Sequence, residues 1–225
     1  MKKLAWSYSR IETFEQCPRK FQLQNILKPE NFKFRENEIT KRGKAVHDQL
    51  ETALTPGGGQ LPVELSHVQP IVDSILQKFP QVQTERDIAF DHSLNLCDWF
   101  DTTVCWFRAQ LDVLAVNDTE AIIYDWKTGK VRDKPDQLRL YAAVVFMMYP
   151  EVQTVHTAFI FVDHQEIKDA IYTRDQFQSI WDEFVERSDL IQIANEGGNW
   201  PPRKNYLCGW CDATTDQCVY AKKVK

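Results

Sequence analysis

Two adjoining stretches near the middle of the chain alternate between apolar and polar residues with the period of two that is typical of β-strands. In the first, apolar or small residues fill every second position: Cys105, Phe107, Ala109, Leu111, Val113 and Ala115. Polar residues 117–119 follow, and a second apolar stretch ends at Gly129. The pattern predicts a β-hairpin over residues 108–130 with one buried face.

The hairpin carries two acids and a lysine. Because successive side chains of a strand alternate, Asp112 points away from the apolar face, and Asp125 and Lys127 share a face. Two carboxylates can bind a magnesium or manganese ion, and a lysine can orient an attacking water, so the trio suits metal-assisted phosphodiester cleavage. The alternative is a cross-strand ion pair between Asp112 and Lys127, worth under about 1 kcal/mol at a surface.

Hydrophobic periodicity and turn residues predict the remaining elements. Helices are predicted at residues 7–27, 39–54, 67–80, 135–148 and 174–194, and further strands at 84–94, 153–163 and 166–172. The order of these elements predicts an α/β fold in which helices flank a mixed central sheet. At 225 residues the chain is long enough for one sizeable core.

Three motifs in and after the hairpin resemble a known family. Asp112, the triplet 125–127 and residues 137–141 are similar to the G-x-x-D, D-x-K and Q-x-x-x-Y motifs of PD-(D/E)XK nucleases in their RecB-like form. Ala109 stands where the family usually has glycine, which affects backbone packing more than chemistry. The chain therefore resembles the RecB-like nucleases, including those of CRISPR adaptation and of phages.

The same resemblance extends over residues 7–218. Residues 7–21 are similar to the opening helix of the family, and residues 43–47 resemble its G-x-x-x-H motif. The resemblance implies a restriction-endonuclease-like core and a cysteine-bound C-terminal segment. We expect a single nuclease domain, 1–225, composed of a helical part (1–82), a core (83–195) and a cysteine-rich tail (196–225) that closes onto Cys17.

The resemblance also implies roles for individual residues. His47, Asp112 and Asp125 would hold Mg²⁺ or Mn²⁺, and Lys127 would assist the attacking water. The alternative is that His47 is a packing or solvent-exposed residue. If it is a metal ligand, its nitrogen would favour manganese over magnesium.

Three further residues complete the implied site. Gln137 and Tyr141, at the start of a predicted helix, would position the DNA strand. Glu85 resembles a carboxylate that the family places on the first core strand, where it could bind a second metal or a water. An exposed strand glutamate is the alternative for Glu85.

The tail is rich in sulfur. Cys208 and Cys211 form one C-x-x-C motif, and Cys218 follows. These cysteines resemble those of the iron–sulfur exonuclease group of the family, and the resemblance implies that Cys17 supplies a fourth thiolate for a [4Fe–4S] cluster. Structural zinc is the alternative, although a zinc ribbon usually offers two C-x-x-C pairs; free thiols also stay open.

Composition narrows the class of protein. The net charge of −5 argues against a nonspecific nucleic-acid coat. The chain has no apolar run long enough to span a membrane and no apolar leader, so we expect no membrane partner and a cytoplasmic location, or the host cytoplasm for a phage-encoded protein.

These observations together predict a metal-dependent DNA nuclease, an exonuclease of the RecB-like group. Its expected substrate is DNA that is single-stranded or has free ends, and a helicase, recombination protein or integrase is an expected partner. The alternative is a DNA-binding or scaffold subunit with a vestigial nuclease site and a structural metal cluster. A redox protein is disfavoured because no flavin or nicotinamide fingerprint is present.

Overall fold

A mixed β-sheet contains the predicted hairpin. The structure is a computed structural model that describes residues 4–33, 36–55, 57–132 and 134–222. Within these residues five strands lie side by side in chain order: β1 (Val82–Phe90), β2 (Phe107–Asn117), β3 (Glu120–Lys127), β4 (Thr154–Phe161) and β5 (Glu166–Thr173). The pairs β2–β3 and β4–β5 are antiparallel and β3–β4 is parallel, which confirms the predicted α/β class with a mixed sheet.

The helices occur in the predicted order. The α-helices are α1 (Tyr8–Gln16), α2 (Pro18–Gln22), α3 (Glu38–Leu54), α4 (Gln69–Lys78), α5 (Pro135–Met148) and α6 (Phe177–Gly197). A π-helix covers Leu23–Leu27, and short 3₁₀ helices cover Glu30–Phe32, Val63–Val68, Val162–His164, Arg174–Gln176 and Tyr206–Trp210. Helix α5 begins and ends where predicted. Pro135 suits the first helical turn, and Pro150 follows shortly after the last one.

Two units can be distinguished in the fold. The sheet unit comprises Glu36–Ile88 and Ala109–Phe184, and the cysteine unit comprises Met1–Arg35, Ala89–Arg108 and Val185–Lys225. The single domain expected from the sequence stays a prediction, and residues 223–225 of the expected tail lie outside the described residues.

The core of the sheet unit lies between the sheet and helices α3 and α4. Asn37 caps α3 by accepting from the Thr40 amide, which fixes where the helix starts. The helix then buries Val46 and Leu50, which pack in one cluster with Val113 and Trp126 of the hairpin. Burying each such aliphatic side chain stabilises the fold by about 1.5–3 kcal/mol. This packing holds α3 against the strands that carry the two aspartates.

The N-terminal helix of the cysteine unit differs from its prediction. A continuous helix over residues 7–27 was expected, but α1 ends at Gln16 and α2 begins at Pro18. Cys17 between them is extended, with φ −166° and ψ 107°. The prediction was wrong because the ring of a proline disfavours helical geometry in the residue before it. The break leaves the Cys17 thiol at a helix junction.

The first strand also departs from a regular pattern. The sequence predicts a strand over residues 84–94, but β1 covers Val82–Phe90 and a turn follows. Glu85 has φ +45°, in the left-handed region. Such a conformation in a residue other than glycine costs of order 1–3 kcal/mol, so the surrounding fold must hold it in place.

Candidate active site

Strands β2 and β3 bring the two motif aspartates close to one backbone segment, at Trp126. Asp112, which is mostly buried on β2, accepts a hydrogen bond of 2.8 Å from the amide of Trp126 on β3. Antiparallel pairing of the strands, with Val113 opposite Tyr124, makes this contact possible. Trp126 is the middle residue of the D-x-K triplet, so its amide lies between Asp125 and Lys127.

His47 reaches the same segment from helix α3. Its Nε2 lies 3.0 Å from the carbonyl oxygen of Trp126, so Nε2 carries a proton and donates it. Nδ1 then faces two carboxylates, at 3.4 Å from Glu85 Oε1 and 3.6 Å from Asp112 Oδ2. The carbonyl bond fixes the ring orientation, and Nδ1 is left to carry a second proton or to bind a metal ion.

Asp125 belongs to a second set of contacts. Its side chain is 4% exposed, and Oδ2 is ion-paired with the ammonium of Lys127. Oδ1 accepts a hydrogen bond of 3.0 Å from Gln137 Nε2, which also donates to the Tyr141 hydroxyl at 3.3 Å. Gln137 and Tyr141 lie one turn apart on α5 and so share a face. Lys127 pairs with Asp125 rather than with Asp112, so the simple cross-strand ion pair is wrong.

Charge and burial act together on the ionisable groups. Burial, reinforced by the nearby charge of Asp125, raises the pKa of Asp112 to about 7. Burial also raises the pKa of Asp125, although the ammonium of Lys127 opposes that shift. The hydrogen bond to Glu85 raises the pKa of His47. In the metal-free protein, protons therefore neutralise part of the negative charge that a cation could neutralise instead.

The donor set fits a divalent metal ion. One ligand atom from each of His47, Glu85 and Asp112 lies within 4.8 Å of the other two. Two carboxylate oxygens and one imidazole nitrogen suit manganese, and the oxygens also suit magnesium. Asp125, expected to be a ligand, is not in this group because Lys127 and Gln137 take up its oxygens. Glu85, the residue of β1 with left-handed backbone geometry, is in the group.

Sequence reasoning missed the backbone of Trp126, which holds both Asp112 and His47. No side-chain pattern indicates such a role, although the hairpin register places this residue beside Asp112. It also missed the close approach at Gly43, where an added Cβ would lie 3.3 Å from Thr128 Oγ1. Glycine there lets α3 lie against the segment that follows β3, one turn before His47.

Three basic residues on helices α3 and α5 are paired with acids. Arg42 forms a two-pronged ion pair with Asp163, at 2.5 and 2.6 Å. Lys41 pairs with Glu38 within α3. Arg139 pairs with Glu183. These cations therefore balance acids within the sheet unit.

The four cysteines of the predicted cluster come together within the cysteine unit. Cys17, Cys208, Cys211 and Cys218 line one pocket. The Arg203 amide donates to the Cys17 sulfur at 3.3 Å, and the Asn205 amide donates to the Cys208 sulfur at 3.4 Å. Among the described residues the four sulfurs form no ligand group as tight as 4.8 Å. Cys97 and Cys105 lie outside this pocket, and burial raises the pKa of Cys97 to about 11.

Comparison with known proteins identifies the fold. A family model of the PD-(D/E)XK nuclease superfamily matches residues 5–104 and 64–218. The chain belongs to the PD-(D/E)XK nuclease superfamily. This confirms the resemblance at the level of the superfamily, whose members generally use Mg²⁺ or Mn²⁺ and act on DNA.

Two solved structures are similar to this PD-(D/E)XK protein. One is the crystal structure of a "Putative exonuclease" from Eubacterium rectale, with a TM-score of 0.52, 14% identity and coverage of 98% of this chain and 91% of that one. The other, SSO0001, has a TM-score of 0.42, 12% identity and coverage of 94% and 85%. The first likeness shows the fold alone. No curated protein matches the chain.

No helix among the described residues is long and apolar enough to cross a membrane.

Proposed function

We propose that the protein is a divalent-metal-dependent deoxyribonuclease of the RecB-like type that acts as an exonuclease. The observation that carries the proposal is the meeting of His47, Glu85 and Asp112 beside the Asp125–Lys127 ion pair. Superfamily membership supports the reaction class. A vestigial site is disfavoured because Asp112, Asp125 and Lys127 are all present. Asp112 lies beside His47, and Asp125 contacts Lys127 and Gln137.

Each residue has a distinct role in this proposal. His47, Glu85, Asp112 and Asp125 would hold Mg²⁺ or Mn²⁺, and the Asp125 carboxylate keeps its ion pair with Lys127. When bound, the metal stabilises negative charge on the phosphate and lowers the pKa of a coordinated water. The ion pair with Asp125 holds Lys127 in place, and the Lys127 ammonium orients the attacking water. Gln137 fixes the Asp125 carboxylate and, with Tyr141, positions the DNA strand at the start of α5.

The pocket lined by Cys17, Cys208, Cys211 and Cys218 is the proposed site of a [4Fe–4S] cluster. Two backbone amides that donate to sulfur support ligation by thiolates, since such bonds are common around protein-bound clusters. A single zinc ion is the alternative. Zinc–sulfur bonds of about 2.3 Å would place four thiolates about 3.8 Å apart, so the pocket would have to contract around zinc.

The resemblance to RecB-like nucleases extends the proposal to a substrate, a protein partner and a cellular location. DNA with free ends or single-stranded regions is the proposed substrate. A helicase, recombination protein or integrase is the proposed protein partner, and the cytoplasm, or a host cytoplasm for a phage-encoded protein, is the proposed location.

Cleavage of matched linear and circular DNA tests the exonuclease assignment. Linear single- and double-stranded DNA carries a label at the 5′ or the 3′ end, and covalently closed circles of the same sequence serve as substrates without ends. We expect digestion of linear DNA with manganese or magnesium, none in EDTA, and survival of the circles. Cleaved circles would contradict the exonuclease assignment, and intact linear DNA in every metal would contradict a nuclease.

A further inference from the structure

An exposed aromatic surface lies on the tail of the cysteine unit, and the proposed nuclease site does not use it. Tyr206 is 81% exposed and Trp210 is 78% exposed; they begin and end one short 3₁₀ helix. Tyr220, which is 41% exposed, follows on the same tail. We refer to these three residues as the tail platform. Large aromatic side chains grouped in this way at a surface commonly mark a binding site.

Cations accompany the tail platform. Lys222 Nζ lies 5.8 Å from the centre of the Trp210 ring, and Lys204 Nζ lies 6.0 Å from the centre of the Tyr220 ring. Both distances are within reach of a cation–π contact. The Lys222 side chain lies against Gly209, where an added Cβ would lie 3.3 Å from Lys222 Cε. Glycine at this position therefore leaves space for the ammonium to lie beside the indole.

These positive charges are not balanced by carboxylates. Among the described residues neither Lys204 nor Lys222 forms an ion pair. In the same unit, Arg19 and Arg203 hydrogen-bond to backbone carbonyls, of Gln217 and Glu15, rather than to acids. By contrast, Arg42, Arg139 and Arg187 are paired with acids. In a protein of net charge −5, unbalanced cations beside exposed aromatic rings indicate an anionic ligand with flat groups.

We propose that the tail platform binds single-stranded nucleic acid. Bases stack on the rings of Trp210 and Tyr206, and phosphates lie against the ammonium groups of Lys204 and Lys222. Aromatic rings interleaved with cations bind unpaired strands in this way with little sequence preference, whereas bases of a duplex are already stacked. A protein partner fits less well because lysine is depleted from protein–protein interfaces. The inference does not rest on the nuclease reaction, since binding requires no cleavage.

Fluorescence anisotropy with a labelled 15-nucleotide DNA strand tests the proposal. Every protein compared carries Asp125→Asn, so that the probe is not consumed. We expect Trp210→Ala and Tyr206→Ala each to weaken binding at least fivefold, since stacking of one base contributes about 1–3 kcal/mol. Trp210→Phe should retain most of the affinity. Phe100→Ala is the matched control, because Phe100 is an 80% exposed aromatic residue of the same unit without a cation–π contact among the described residues.

Two further probes separate stacking from charge. On a strand of the same length without bases, we expect weak binding and no difference between the Trp210 and Phe100 variants. On the intact strand, Lys222→Ala should lower the salt dependence of binding by about one unit of slope, as loss of one phosphate contact requires.

Two results would overturn the proposal. One is that Trp210→Ala and Tyr206→Ala bind the intact strand as tightly as Phe100→Ala, which would leave the tail platform as a surface for protein contacts. The other is an equal loss on intact and base-free strands, which would show that stacking does not contribute. Circular dichroism melting of each variant verifies the fold, and the Tyr206 variant decides the question where Trp210→Ala unfolds.

Discussion

His47 Nδ1 lies 3.6 Å from Asp112 Oδ2, and both side chains are hydrogen-bonded to the backbone of one residue, Trp126. Trp126 donates its amide to the aspartate and accepts from the histidine at its carbonyl. Strand β3 therefore sets the positions of two proposed metal ligands that come from α3 and β2. The D-x-K triplet contributes more than two side chains, because its middle residue organises the ligands around it.

The first prediction concerns catalysis. Asp112→Ala, Asp125→Ala and Lys127→Ala should each lower the rate of DNA cleavage by about a hundredfold or more. Loss of one contact that stabilises the transition state typically costs about 3–4 kcal/mol. Initial rates on end-labelled linear DNA, with circular dichroism as the test of folding, measure this. Cleavage at the wild-type rate by Asp125→Ala would refute the assignment of the site.

The second prediction separates a metal ligand from a packing residue at position 47. His47→Ala should raise the manganese concentration needed for half-maximal cleavage, because Nδ1 is lost from the ligand group. His67 is a matched control: it also hydrogen-bonds a backbone carbonyl, that of Val162 at 2.9 Å, but lies outside that group.

The contrast between the two histidine variants is the decisive observation. His67→Ala should leave the metal requirement unchanged. If His47→Ala lowers the melting temperature but leaves the metal dependence of the remaining activity untouched, His47 is a packing residue and not a ligand.

Much of the fold around the candidate site follows from local sequence. Alternation of apolar residues predicts β2 and β3, and Pro135 marks the start of α5, which places Gln137 and Tyr141 one turn apart. The left-handed conformation of Glu85 could not be predicted, because glutamate has no intrinsic preference for it and the surrounding fold must impose it. The break at Cys17 was predictable in principle, since Pro18 excludes helical geometry at the residue before it.

The third prediction concerns the stability of the metal-free protein against pH. Folding raises the pKa of Asp112 from its ordinary value near 3.8 to about 7, so its ionisation destabilises the folded state. The raised pKa of His47 acts in the same direction, because its favourable charge is lost as the pH rises through the folded value. The free energy of unfolding should therefore fall as the pH rises from about 4 to about 7, with the His47 contribution lost from pH 6.5 upward.

Urea unfolding in EDTA at several pH values measures that slope. Asp112→Asn should flatten it, because the amide does not ionise. Asp73→Asn, which changes an exposed carboxylate on α4, should keep it. A slope that is equally steep in Asp112→Asn would show that this carboxyl is not the group responsible.

The fourth prediction concerns the cysteine pocket. Protein purified without oxygen should be brown, and Ala at Cys17, Cys208, Cys211 or Cys218 should each remove the colour and lower stability. A cluster that joins Cys17 to Cys208 closes a loop of about 190 residues. By analogy with a disulfide, such closure removes about 5 kcal/mol of unfolded-chain entropy. Visible absorbance and thermal melting measure both effects.

Cys97→Ala and Cys105→Ala are the controls for the cysteine prediction. Neither residue lines the pocket, so both variants should keep the colour. Stoichiometric zinc without iron in the anaerobic protein would contradict the cluster and identify a structural zinc site.

The sequence could not predict which acids group together. Asp112 and Asp125 were expected to share the metal, because spacing along two strands says which face a side chain occupies but not which partner it meets. The hydrogen bond from Gln137 to Asp125 depends on the position of α5 over the sheet, and Glu85 reaches the group from a strand with an irregular backbone. Such contacts arise from tertiary packing rather than from local propensity.

The central claim is tested most directly by titrating the metal-free protein with manganese. Calorimetry measures manganese binding, and DNA cleavage is measured on the same samples. We predict saturable binding and a cleavage rate that rises in step with site occupancy. Asp112→Asn should lose both, and Asp73→Asn should lose neither. Unchanged manganese binding by Asp112→Asn, or full cleavage in EDTA by the wild-type protein, would contradict a metal-dependent nuclease site formed by His47, Glu85 and Asp112.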